Sequence, residues 1–123
     1  MALRDVAAIF AGGVLGTSMR AGLGAMAAGS VWPWSTLTVN IVGAFALGVL
    51  LEALIAAGPD DGWRRSVRLT LGTGVLGSFT TYSALAWESW TLGAWGVAYA
   101  IGSVVAGALA AWSGVAVVRR WRR

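Results

Sequence analysis

The sequence predicts an all-α membrane protein with four transmembrane helices, the third one broken. Three observations carry that prediction. The 123 residues are 58% hydrophobic and 11% charged, where a soluble domain carries about a quarter charged residues. Apolar stretches at about 6–28, 36–57, 67–90 and 96–118 each reach the roughly 20 residues that a bilayer-spanning helix needs. The third stretch contains Gly72 to Glu88, GTGVLGSFTTYSALAWE, with three Gly, three Thr, two Ser and a Tyr, a poor composition for a continuous lipid-buried helix. Four spans use most of the length, so 1–123 reads as a single transmembrane domain.

Composition excludes several function classes. Histidine and cysteine are absent, which removes thiol nucleophiles, Ser-His-Asp triads, disulfides and the usual zinc ligands. The acids Asp5, Glu52, Asp60, Asp61 and Glu88 are too scattered for a paired-carboxylate mechanism. The chain is therefore not expected to be an enzyme. The net charge of +4 does not point to nucleic acid either, because the arginines sit at span ends and not as a stripe on a soluble fold. Arg4, then Arg64, Arg65 and Arg68, then Arg119, Arg120, Arg122 and Arg123 all fall on one side of a four-span chain. The first and third connections carry no arginine. By the positive-inside rule both termini lie in the cytoplasm.

The first span, 6–28, follows Arg4 and ends near Ala25-Met26-Ala27, a pattern shared with cleavable signal peptides. Arg20 interrupts its apolar run and three more spans follow, so it is read as a span. Gly12 and Gly16 form a small-xxx-small pair that lets another helix approach. Arg20 lies late in this span, and an arginine there needs a partner, a water-filled cavity or the interface. Two readings stand: snorkelling to headgroups, or lining a vestibule that attracts anions. Ser30 to Ser35, SVWPWS, is an interfacial turn with Trp32 and Trp34 as anchors and Pro33 opening the next helix.

The second span, 36–57, carries Asn40 in an apolar run. A buried amide must find hydrogen bonds, either across to another helix or to a permeating ion. Gly43 and Gly48 read as packing positions, and Glu52 is expected to snorkel from the cytoplasmic end. GPDDG, Gly58 to Gly62, is a turn. In the third span, 67–90, Gly72, Gly74 and Gly77 each weaken the helix by roughly 1 kcal/mol relative to Ala. The expectation is that the helix opens there and frees backbone carbonyls, which lipid tolerates only beside protein, an ion or water; a glycine-rich packing face is the other reading. The fourth span, 96–118, places Tyr99 and Ser103 at i and i+4 with Gly107 continuing the row. That row is either a polar stripe or local back-bonding with small-residue packing. The tail RRWRR reads as a stop signal.

With Arg20 in GGVLGTSMR, Asn40 in TLTVNIVGAFALG, the stretch GTGVLGSFTTYS, and Tyr99 with Ser103, the chain resembles the small fluoride channels known as Fluc or CrcB proteins over all four spans. The resemblance implies an antiparallel, dual-topology-like dimer in a bacterial cell (inner) membrane, with two fluoride pores built from both subunits. It also implies a structural sodium ion on the dimer axis, held by the backbone carbonyls of Gly77 and Thr80. Asn40 would touch fluoride, Tyr99 and Ser103 would belong to a polar track, and Arg20 would line the vestibule. The chain departs from the family pattern in three places. Of two expected phenylalanines, the positions hold Tyr82 and Leu85; a third hydroxyl of the fourth span is replaced by Gly107; and one Gly of the usual pair is Ser78.

The arginine bias then bears on assembly. A homodimer inserted both ways needs weak charge asymmetry, and eight flanking arginines against none favour one orientation. The expected partner is a second four-span subunit, a paralog rather than a second copy, with fluoride and the lipid bilayer as the other partners and no nucleic acid. Two other readings were weighed. A non-conducting structural partner is compatible with Leu85 and Gly107, whereas a small multidrug-type transporter needs a carboxylate within the first span, which this chain lacks. Reporter fusions at the two ends test the topology: both should report cytoplasmic, and a mixed population would show that the arginine bias does not set orientation.

Overall fold

The computed structural model describes residues 2–27 and 29–123. Ala28, the expected end of the first span, lies outside the described residues. Helices joined by short turns make up the described residues, in the order α1 (Leu3–Met26), α2 (Trp34–Ala57), α3 (Gly62–Val67), a π-helical stretch (Arg68–Leu76), α4 (Gly77–Phe79), α5 (Tyr82–Thr91), a 3-10 turn (Gly93–Trp95) and α6 (Gly96–Trp121). Three helices are long and apolar enough to cross a membrane: α1, α2 and α6 together with its preceding turn. Shorter segments cover the interval from Gly62 to Thr91.

Glycine decides which helices touch. A Cβ on Gly12 would strike the Thr70 carbonyl, and one on Gly16 the Val75 carbonyl; one on Gly74 would come within 2.8 Å of the Ile9 carbonyl. Backbone therefore lies on backbone between α1 and the π-helical stretch, as small residues allow in membrane helices. The second seam joins α2 to α6. There a Cβ on Gly48 would strike the Ala111 carbonyl and one on Gly114 the Phe45 carbonyl.

The glycines of the third segment do not open the helix. Hydrogen bonding continues through them in wider turns, the Gly77 amide donating to the carbonyls of Gly72 and Gly74, as π-helical geometry permits. The chain leaves helical geometry further on, at Thr80 (φ −76°, ψ 159°) and Thr81 (φ −148°, ψ 123°). Glycine here serves packing, and the threonines carry the turn.

The arginine-rich end is laced by ion pairs. Arg65 reaches Asp5 at 3.1 Å, Arg64 reaches Asp61 at 2.8 Å, Arg68 reaches Asp60 at 2.7 Å and Arg119 reaches Glu52 at 2.9 Å. Glu52 thus does not snorkel alone but ties α2 to α6. The hydrogen bond from Arg68 holds the Asp60 carboxyl below its ordinary value, so this pair contributes above the ordinary carboxylate range and its contribution is lost as pH falls through the lowered value. Large apolar side chains remain uncovered around the bundle, Phe10 at 72% and Trp90 at 81% exposure among them, a surface suited to lipid or a second subunit.

The seams predict opposite signs for one substitution. Gly48→Ala forces a Cβ against the α6 backbone and should lower stability by about 1–3 kcal/mol. Gly102→Ala, whose added carbon meets nothing within 4 Å, should be neutral or stabilising by up to about 1 kcal/mol. Thermal unfolding of the purified variants in detergent measures both.

Candidate functional site: the interrupted helix and its polar neighbours

Where α4 ends, the Thr80 amide still bonds back to the Leu76 carbonyl at 3.1 Å, but the Thr81 amide does not. The Thr81 N–H donates instead to Asn40 Oδ1 at 2.8 Å, and Asn40 Nδ2 donates to the Thr81 carbonyl at 3.0 Å. One side chain of α2 thus replaces the lost helical partner of the Thr81 amide and also donates to the Thr81 carbonyl. Thr81 then caps α5, its Oγ1 accepting from the Ala84 N–H at 3.2 Å, as an N-cap threonine does. Arg20 supports the same interruption from α1, its Nε donating to the Ser78 carbonyl at 3.1 Å.

These diversions leave two carbonyls without their helical donors. In a continuous helix the Thr81 amide would bond the carbonyl of Gly77, and the Ala84 amide that of Thr80. Both amides are engaged elsewhere. Gly77 and Thr80 therefore present backbone oxygens beside the interruption, a donor set that suits a hard cation. Both residues, with Asn40, Tyr82 and Leu85, line one groove of about 340 Å³. Leu85 is buried, whereas Tyr82 is 82% exposed.

On the other side of Thr81 lies a second cavity of about 260 Å³, lined by Thr17, Arg20, Ser35, Thr36, Val39 and Thr81 among others. Arg20 thus faces a cavity and a backbone carbonyl. Thr36 leads from this cavity to a carboxylate. Its Oγ1 donates to Glu88 Oε1 at 2.6 Å, and Tyr99 Oη donates to Glu88 Oε2 at 2.9 Å. The Trp32 ring packs edge-on against Tyr99 with centroids 5.6 Å apart. One turn along α6, Ser103 is 5% exposed, and its Oγ has no hydrogen-bond partner among the described residues. Local back-bonding therefore does not account for Ser103. Gly107 continues the row beside open space, a Cβ there meeting nothing within 4 Å.

The structure gathers Asn40, Gly77, Thr80, Tyr82 and Leu85 into one groove, places Arg20 in the cavity across the Asn40–Thr81 bridge, and sets Tyr99, Ser103 and Gly107 along α6. Sequence reasoning missed Glu88 and Thr36. A signal was present: Asp5, Glu52, Asp60 and Asp61 sit among arginines, while Glu88 stands at the end where Arg20 is the one arginine, and among the described residues it alone of the acids pairs with hydroxyls and not with a guanidinium.

Comparison with known proteins adds a second line of support. The family described as "CrcB-like protein, Camphor Resistance (CrcB)" matches residues 7–115. The chain is 50% identical to "Fluoride-specific ion channel FluC 1" of Cutibacterium acnes, with 93% of this chain and 85% of that protein covered. It is 44% identical to "Fluoride-specific ion channel FluC 1" of Mycolicibacterium paratuberculosis, over 97% and 93% of the two chains. It is 47% identical to "Fluoride-specific ion channel FluC 2" of Leifsonia xyli subsp. xyli, over 93% and 83%.

The bridge at Thr81 is testable apart from transport. Asn40→Ala removes both hydrogen bonds and should cost about 1–3 kcal/mol, while Asn40→Gln, one methylene longer, should recover only part of it. The check is the thermal unfolding midpoint of each purified variant.

Proposed function

The chain belongs to the CrcB-like family, and from that premise we propose that it is one subunit of a fluoride-specific channel that lets fluoride leave the cell passively. It is not an enzyme. The observation that carries the reading is the buried Ser103 hydroxyl one turn beyond Tyr99, which makes no hydrogen bond of good geometry among the described residues. A hydroxyl with no acceptor in an apolar helix costs free energy, and a permeating anion supplies the missing acceptor. Fluoride is small and strongly hydrated, so its water must be replaced by hydrogen-bond donors or positive ring edges. Ser103 offers the first, and Asn40 Nδ2 has a second proton beyond the one given to Thr81. Tyr82 offers a ring edge. Arg20 lines the cavity across the bridge and draws anions toward it.

We read the fold as four spans, with the interval of α3 to α5 crossing as the third and interrupted at Thr80–Thr81. Two such chains in antiparallel orientation would build the pore, since the groove beside Tyr82 is open on one side in a single chain. Both termini face the cytoplasm in this reading, and the partner is a paralogous chain of opposite orientation. The arginine distribution supports that choice, and so do the numbered names of the relatives. The diverted amides support a structural sodium ion at the carbonyls of Gly77 and Thr80, where it would supply a fixed positive charge on the axis of the pair. Leu85 and Gly107, in place of a ring and a hydroxyl, favour a second reading in which this chain completes its partner's pore without lining a conducting one. A small multidrug-type transporter is not supported, since the matched relatives carry the fluoride-channel name.

Fluoride efflux from liposomes holding this chain and the organism's nearest four-span paralog tests the proposal. Efflux should be fast for the pair, absent for chloride, and lost with this chain alone. Ser103→Ala in this chain should lower flux about tenfold, the equivalent of one lost hydrogen bond. No change with Ser103→Ala would assign conduction to the partner, and full flux from this chain alone would remove the heterodimer.

A further inference from the structure

We propose that the cytoplasmic end of α6 binds an anionic phospholipid, with the headgroup phosphate on Arg120 and Arg123 and an acyl chain along Trp112. The argument starts from which arginines are already neutralised. Asp5, Asp60, Asp61 and Glu52 compensate Arg65, Arg68, Arg64 and Arg119. Arg120, Arg122 and Arg123 have no carboxylate partner among the described residues. Arg4 shares Asp5 with Arg65, at 4.0 Å, so most of the uncompensated charge of this end, three of the arginines, stands at the close of one helix.

A cavity of about 510 Å³ lies there, lined by Trp112, Val115, Ala116, Arg119, Arg120 and Arg123. Trp112 to Arg120 stand at i, i+3, i+4, i+7 and i+8, the spacing of a single helical face, and Arg123, just past the end of α6, closes the cavity. The lower half of that face is apolar and the upper half cationic. Trp112 is 70% exposed, so its ring is open to an acyl chain. From Trp112 to Arg120 the helix rises about 12 Å, which sets a phosphate above the first part of a hydrocarbon tail. Arg119 is turned toward Glu52 by its bidentate hydrogen bonds at 2.9 and 3.3 Å, leaving Arg120 and Arg123 as the phosphate donors. Arg122 does not line the cavity. Charge complementarity with the anionic cytoplasmic leaflet commits the site to a lipid, because a cluster of basic residues just beyond a span attracts anionic headgroups.

Tryptophan quenching by brominated lipids tests this. The full chain is placed in nanodiscs of phosphatidylcholine and phosphatidylglycerol in which one or the other lipid is brominated. Both leaflets then have one composition, so insertion direction does not matter. Taking the difference between wild type and Trp112→Phe isolates the signal at the site. Brominated phosphatidylglycerol should quench Trp112 several-fold more than brominated phosphatidylcholine at equal mole fraction. Arg120→Gln and Arg123→Gln should each lower that preference about fivefold at most, in line with the attraction of one basic residue near an anionic surface. Arg122→Gln, with the same loss of charge, should change it least. Equal quenching by the two lipids would overturn the proposal, as would an equal effect of Arg122→Gln, which would mean diffuse attraction. Loss of the preference on adding inorganic phosphate would make this a soluble-anion site, and no quenching of Trp112 by either lipid would mean that another subunit covers the face. The comparison of wild type with Trp112→Phe stands even if an arginine variant fails to fold.

Discussion

The reciprocal hydrogen bonds between the Asn40 amide and the Thr81 backbone are the constraint on which the rest of the structure depends. A helix interrupted within a bilayer exposes peptide groups that hydrocarbon cannot satisfy. One amide side chain, offering a donor and an acceptor together, closes the gap at Thr81 as the edge of another strand would. That closure has consequences along the chain. With its own amide engaged, Thr81 uses its hydroxyl to start α5, and two carbonyls upstream are left for other partners. Bonds that a continuous helix would make locally are replaced by bonds to α2 and α1. The geometry of the interruption is thereby tied to helix packing, which the backbone-to-backbone glycine contacts hold in place.

Charge is organised on the same principle of local compensation with a deliberate remainder. At the arginine-rich end four carboxylates each find a guanidinium, and the pairs connect α1, α2, α3 and α6. Exposed pairs of this kind add little to stability one by one. Their effect is to leave the excess positive charge mainly on the end of α6, with Arg4 sharing Asp5 at the start of α1. At the opposite end a single carboxylate, Glu88, is held by two hydroxyls, from Thr36 and Tyr99, near the cavity that Arg20 lines. A guanidinium and a carboxylate thus face the same region without a direct ion pair between them, an arrangement that leaves Arg20 free to hold the Ser78 carbonyl.

Much of the site was legible from side-chain chemistry. Asn40, Arg20, Tyr99 and Ser103 are each out of place in a lipid-buried helix, and each takes part in the polar system or lies beside it. The cause of the interruption was less legible. Glycine propensity pointed to Gly72, Gly74 and Gly77, yet all three positions stay helical, and at Gly74 the missing side chain lets the backbone lie against α1. Thr80 and Thr81, ordinary in a span by hydropathy, carry the extended backbone. Glu88 was not legible as a site residue because hydropathy treats any acid near an interface alike; only its partners, 52 residues back and 11 residues on, show its role.

The sequence by itself determined the membrane class, the helical content, the arginine asymmetry and the exclusion of metal-hydrolase and thiol chemistry. These follow from composition and from periodicity over a few turns, where the relevant energies are solvent transfer and local propensity. Only the tertiary structure decided where the third segment is interrupted, which carbonyls are released and which hydroxyl lacks a partner. Those properties depend on hydrogen bonds between residues 41 to 58 positions apart, and no local energy term specifies which distant group an amide will reach.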